Sequence, residues 1–176
     1  MAPLLQVVLT VVVLAAACYD LKIRKIPNWL NLSGVILGVG LNCFLLQAAG
    51  LQLALLGLGL ALLVYLPLFV VRGMGAGDVK LMAAVGAIAG PRNWLYIFLA
   101  TALLGGLVAL VLVAYKRRLF LTLLNLSTII GELLHVRRPF QKNAALDFRH
   151  ERALGLPHGA MIALGAIAFL SFNSLS

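Results

Sequence analysis

Val79-Lys80-Leu81-Met82-Ala83-Ala84-Val85-Gly86-Ala87-Ile88-Ala89-Gly90 is the stretch on which the architecture turns. It is apolar apart from Lys80. Its 12 or so residues, at roughly 1.5 Å each, reach about 18 Å of a hydrocarbon core about 30 Å thick. Length alone therefore suggests a re-entrant piece. The chain offers five longer apolar runs around it, over residues 4–19, 29–49, 51–71, 94–115 and 154–172. Each has about the 20 residues that a crossing needs.

The basic residues decide whether the short fourth segment crosses, because Lys and Arg collect on the cytoplasmic side. Lys22, Arg24 and Lys25 follow the first run, and Arg72 and Lys80 lie between the third and fourth. Lys116, Arg117, Arg118, Arg137, Arg138, Lys142, Arg149 and Arg152 lie between the fifth and sixth. With six crossings and the N-terminus outside, all of these are cytoplasmic and Arg92 is the one exception. Without the fourth crossing the large basic loop would be translocated. The reading is therefore an all-α integral membrane protein with six transmembrane helices, a short fourth helix, and both termini outside. One membrane-embedded domain takes up residues 1–176.

Composition agrees. Of 176 residues 63% are hydrophobic and 11% charged, where a soluble domain carries roughly 25% charged residues. The 17 glycines are scattered through Leu, Val and Ala, which excludes collagen and disorder. In Gly34/Gly38, Gly86/Gly90 and Gly155/Gly159 they read as helix-packing notches. Cys18 and Cys43 have no Cys-x-x-Cys spacing, so neither a zinc site nor a disulfide framework is argued. The net charge of +9 raises nucleic acid as a partner, but no soluble domain is there to present a basic face, so none is expected.

The first run resembles a cleaved signal only superficially. Positive charges follow it instead of preceding it, the reverse of a signal peptide. Pro27 suits the first turn of the second helix. Residues 116–152 form a basic cytoplasmic loop. Within it Phe120, Leu123, Leu124, Ile130, Leu133 and Leu134 recur at helical spacing beside polar residues, as in a helix lying flat at the cytoplasmic interface.

Five acids carry the functional signal. Glu132, Asp147 and Glu151 lie in the basic loop, where solvated ion pairing explains them. Asp20 and Asp78 lie at the cytoplasmic ends of apolar segments, where an ionisable group is costly unless it faces a wet interior or a partner. Asp78 closes Gly73-Met74-Gly75-Ala76-Gly77-Asp78. Alternating glycines cannot continue a strong helix, so the backbone should open there before the fourth helix begins. If the two aspartates meet, they cannot both ionise easily and share a proton. Such a pair can split water onto a peptide carbonyl: the ionised carboxylate takes a proton from water while the protonated one donates to the carbonyl oxygen. Ser33, Ser127, Ser171, Ser174 and Ser176 have no His and Asp at a common site, and His135, His150 and His158 show no ligand spacing.

Plainer readings stand beside these. Asp20 can be a helix-end charge paired with Lys22 or Arg24, and Asp78 a helix N-cap after a glycine turn. Lys80 reads as a snorkelling anchor or as a group steadying the aspartates or substrate.

The motifs resemble those of the type IV prepilin leader peptidases, membrane aspartic proteases of the Gly-x-Gly-Asp type. The resemblance rests on Asp20 followed by basic residues and Ile26-Pro27-Asn28, then on Gly75-Ala76-Gly77-Asp78-Val79-Lys80-Leu81. Leu156-Pro157-His158-Gly159-Ala160 also resembles the closing motif, with His where an aromatic is commoner. It implies Asp20 and Asp78 as the catalytic dyad, supported by Gly75, Gly77, Lys80 and Pro27, with the site facing the cytoplasm. The short form, without paired Cys-x-x-Cys motifs, resembles the peptidases of Flp-type (tight adherence) pili. Its implied substrates are Flp prepilins and pseudopilins of the bacterial inner membrane, and N-methylation of the mature pilin is not expected. Two aspartates alone underligate a divalent ion, so no metal and no cofactor are expected. From another class, a non-catalytic scaffold or small transporter would use Asp20 and Asp78 to bind protons or cations. A transporter more typically places its acids at the midplane and shows an internal repeat, and neither feature is found.

Overall fold

A computed structural model describes residues 1–70, 74–115 and 158–175, and these are helical apart from short connections. Four helices follow one another: α1 (Pro3–Ile23), α2 (Asn28–Val70), α3 (Ala76–Tyr115) and α4 (His158–Leu175). The first three are long and apolar enough to cross a membrane. At 43 and 40 residues, α2 and α3 would each be about 60 Å long if straight, twice a bilayer core. Both instead fold back on themselves.

In α2 the reversal falls at Gln47, whose φ of 53° and ψ of −131° are non-helical. It separates a first arm, 28–46, from a second, 48–70. The apolar pattern placed this break at Gly50. Gly50 instead starts the second arm, where a Cβ would overlap the Asn42 carbonyl. The glycine permits the close approach and Gln47 takes the turn. In α3 the reversal is at Gly90 (φ 74°, ψ 170°), a backbone state open to glycine. Pro91 then opens the second arm with its fixed φ, and residues 91–93, read as a connection, are its first turn. Gly90 is therefore a hinge, where the sequence suggested a packing notch. The Trp94 indole N–H donates to the Met82 carbonyl at 3.1 Å, which closes the α3 hairpin and sets Tyr115 at the same end of the bundle as Ala76.

The first arm of α3, residues 76–89, corresponds to the short fourth segment and lies at the centre. Every residue from Leu81 to Gly90 is buried. Gly34 and Gly38 of α2 meet its Ala84, Ala87 and Ile88, and Gly57 abuts its Gly86 backbone to backbone. Surrounded by protein, this arm need not match the bilayer in length. The buried Asn42 amide fastens the contact by donating to the carbonyls of Gly38, Ala87 and Ile88 at 2.9, 3.0 and 3.2 Å. Buried Tyr65 of α2 packs edge-to-face on Trp94 and Phe98. α4 lies against α1 and the second arm of α3, with Gly165 against Thr101.

Two boundaries differ from the apolar pattern. α1 runs on to Ile23, beyond the expected 19, and ends on Arg24 in the left-handed region (φ 50°), whose N–H bonds the Asp20 carbonyl at 2.9 Å. Asp20 is thus in the last turn of α1 and not beyond it. Pro27 precedes α2, and its carbonyl accepts the Asn31 N–H at 3.4 Å. The expected interfacial helix, the basic loop 116–152, Arg72, Gly73, Gly155 and the start of the sixth segment lie outside the described residues.

Candidate active site

The helix ends that gather at one pole of the bundle build the site. Asp20 is 8% exposed, and its Oδ2 accepts the Gly159 backbone N–H at 2.8 Å. That N–H belongs to the first turn of α4, where backbone donors have no helical partner and favour negative charge. Among the described residues Asp20 pairs with neither Lys22 nor Arg24; the peptide N–H takes that place. Room for this contact depends on Gly159. A Cβ there would lie 3.0 Å from Asp20 Oδ2 and 3.1 Å from both Asp20 Cβ and Ile26 Cδ1. Gly159 is therefore part of the site and not only a notch for helix packing.

Asp78 sits in the first turn of α3. The Gly75 carbonyl accepts the N–H groups of Asp78 at 3.2 Å and Val79 at 3.4 Å. Gly75 is thus the residue before the helix, and Asp78 is its third residue, not its N-cap. Its carboxylate turns back to the Gly75 backbone N–H, the arrangement of the acidic member of a capping box. A Cβ on Gly75 would stand 3.1 Å from Asp78 Oδ2.

The two aspartates come close enough to interact electrostatically, and Asp78 does the same with His158 of α4 and Tyr65 of α2. Ile26, from the link between α1 and α2, is wedged between the two glycine positions: the Cβ sites of Gly77 and Gly159 would lie 3.4 and 3.1 Å from it. Lys80 is exposed and donates to Asn28 Oδ1 at 2.9 Å. Its ammonium thereby ties the start of α3 to the start of α2, neighbouring the aspartates' turn without capping either acid. Ser33 is turned to the Leu30 carbonyl at 2.9 Å. Among the described residues no three His, Cys, Asp or Glu side chains converge as metal ligands do.

The model of the type IV leader peptidase family matches residues 7–110, a span that includes both aspartates. The chain belongs to the type IV leader peptidase family. That membership gives its general class, a membrane-embedded protease. No curated protein and no solved structure matches the chain. In this leader peptidase family member, Asp20, Asp78, Gly75, Gly77 and Lys80 gather at one pole, with Pro27 at the neighbouring start of α2.

Sequence reading passed over Asn31. It is 3% exposed, its amide donates to the Gly77 carbonyl at 3.3 Å, and its Oδ1 is buried without a partner. The leader peptidase's Gly-Asp turn is thus pinned from α2. His158 stands in the closing motif and shows no ligand spacing, and Tyr65 is not singled out by the sequence; folding alone brings both to Asp78.

Proposed function

We propose that this protein is an aspartic endopeptidase that removes the short basic leader of Flp-type prepilins and pseudopilins before pilus assembly. Asp20 and Asp78 are its catalytic pair. The observation that carries the reading is the convergence of these two carboxyl groups, from the last turn of α1 and the first turn of α3, at one end of an apolar bundle. A carboxylate and a carboxylic acid held together can activate water and protonate the scissile carbonyl in one step. As the C–N bond breaks, the aspartate that took water's proton gives it to the leaving amine, and the other recovers a proton from a hydroxyl of the tetrahedral diol as the carboxyl product forms. A substrate helix lying beside the bundle would bring its cytoplasmic end to the pair, and glycine at the cut favours the extended backbone that exposes a carbonyl.

The same geometry supports a reading of sidedness. The α3 hairpin returns the chain to the aspartates' pole, and α4 starts there, so the described residues on either side of the basic segment 116–152 both stand at that pole. The positive-inside bias makes it cytoplasmic, with six crossings of the bacterial inner membrane, both termini outside, and a single peptidase domain. Gly75, Gly77 and Asn31 shape the Asp78 turn, while Lys80, Asn28 and Pro27 secure the neighbouring start of α2. The pair needs no metal or cofactor.

The test is the mobility of a co-expressed Flp prepilin with wild type, Asp20→Asn and Asp78→Asn at equal membrane levels. Each substitution should lower cleavage by at least about 100-fold, as expected for loss of an acid–base group. A mutant that cuts at the wild-type rate would remove that aspartate from the chemistry. An uncut prepilin with wild type would overturn the substrate assignment.

A further inference from the structure

At the pole opposite the aspartates the two hairpins end at different depths. Gly57 of α2 meets Gly86 and Gly90, and the Cβ site of Gly90 lies 3.9 Å from Leu53. The α2 reversal at Gln47 stands six residues beyond Leu53, about 9 Å farther along the axis. The α3 hairpin therefore stops short, leaving a recess above its tip. A cavity of about 350 Å³ fills this recess, within the size range of small-molecule sites. Leu5, Leu45, Leu46, Leu53, Ile88 and Pro91 line it, and Arg92 stands at its edge.

Two features say what chemistry fits. The polar amides in the lining are turned to the protein: Asn42 donates to three carbonyls, and Asn93 donates to the Ala89 carbonyl at 2.9 Å. The walls are then apolar and, given the recess, lie at hydrocarbon depth. Arg92 is exposed, and both described acids are at the far pole. Its guanidinium is a fork suited to phosphate oxygens and sits on a stem that can extend toward the headgroup level.

We propose that this recess is a phospholipid site, with an acyl chain over Leu5, Leu46, Leu53 and Ile88 and an anionic headgroup phosphate on Arg92. Charge complementarity favours an anionic headgroup, since in a zwitterionic lipid the choline cation offsets the attraction of the phosphate to Arg92. The site requires only that the chain is embedded in a membrane, and stands whether or not the aspartates cleave prepilin. Bound lipid completes the short end of the bundle, replacing packing that the α3 hairpin does not supply.

Delipidated protein in detergent would be titrated with dioleoylphosphatidylglycerol, dioleoylphosphatidylcholine or inorganic phosphate, following thermal melting and native mass spectrometry. Phosphatidylglycerol should form a retained one-to-one adduct and raise the melting temperature more than phosphatidylcholine. Arg92→Gln should weaken it about fivefold, as one cation facing anionic lipid contributes, and weaken phosphatidylcholine less. Leu53→Trp or Leu46→Trp, both partly exposed positions, should narrow the recess and weaken both lipids. Equal response to the two lipids with no effect of Arg92→Gln would overturn the proposal. A shift reproduced by inorganic phosphate would reduce the site to an anion contact, and unchanged binding in both Trp variants would remove the acyl chain from the recess.

Discussion

At the residue scale, one peptide N–H fixes the orientation of Asp20, and that contact exists because residue 159 has no side chain. With Cβ distances of 3.0 and 3.1 Å to Asp20, alanine would need its neighbours to shift by tenths of an ångström. The branched side chain of Gly159→Val would have to displace the carboxyl or Ile26. A small misplacement of a reacting group costs up to about 100-fold in rate. Gly159→Val should therefore reduce prepilin cleavage at least about tenfold at unchanged membrane level, measured by initial rates in membranes; a wild-type rate would show that Asp20 does not depend on this contact. The two aspartates were legible in the sequence because a charge in an apolar segment demands a reason. Asn31 was not, since its partner is a main-chain carbonyl 46 residues away, and no side-chain pattern records a contact to backbone. The nearness of His158 and Tyr65 to Asp78 is likewise a product of packing.

At the scale of elements, the central arm of α3 is held both by the buried side chains of Leu81, Met82, Val85 and Ile88 and by close backbone approach. Gly57 of α2 touches the Gly86 carbonyl, and a Cβ on Gly57 would overlap it, whereas a Cβ on Gly59 would meet open space. Gly57→Ala should destabilise the bundle by about 1–3 kcal/mol through overpacking. Gly59→Ala should leave stability unchanged or raise it by up to about 1 kcal/mol through helix propensity. Thermal unfolding in detergent separates the two, and equal melting of both variants would contradict this packing. Six apolar runs in the sequence correspond to helical arms in the described residues, since hydrophobic length is a signal that survives without tertiary context. Break positions are a weaker signal. Gly50 looked like a terminator and serves as a contact, while the positive φ falls on Gln47, within the exposed stretch 43–49 between buried Asn42 and Gly50. Gly90 followed by Pro91 was a readable turn, once its φ is known to be positive.

For the whole molecule, the arrangement stands on the side of the membrane at which segment 116–152 lies. Translocating it would carry eight Lys and Arg residues across the bilayer against the positive-inside bias. The α3 hairpin avoids this, because its central arm is buried in protein and can be short while its second arm returns the chain to the pole of Asp20 and Asp78. Cys18 and Cys43 are exposed and would first be replaced by alanine. Single cysteines at Lys25, Lys142 and Gln47 would then be probed in intact cells with a membrane-impermeant maleimide. Under the proposed topology Gln47→Cys should label, because the α2 reversal is at the pole opposite the aspartates. Lys25→Cys and Lys142→Cys should label only after permeabilisation. Labelling of Lys142→Cys from outside while Lys25→Cys stays protected would mean that the chain leaves α3 on the outer side. The hairpin at Gly90 would then be wrong, Asp78 and the start of α4 would lie on opposite faces, and Gly159 could not reach Asp20. A single labelling pattern thus tests the position of the basic loop, the fold of α3 and the closure of the aspartate site together.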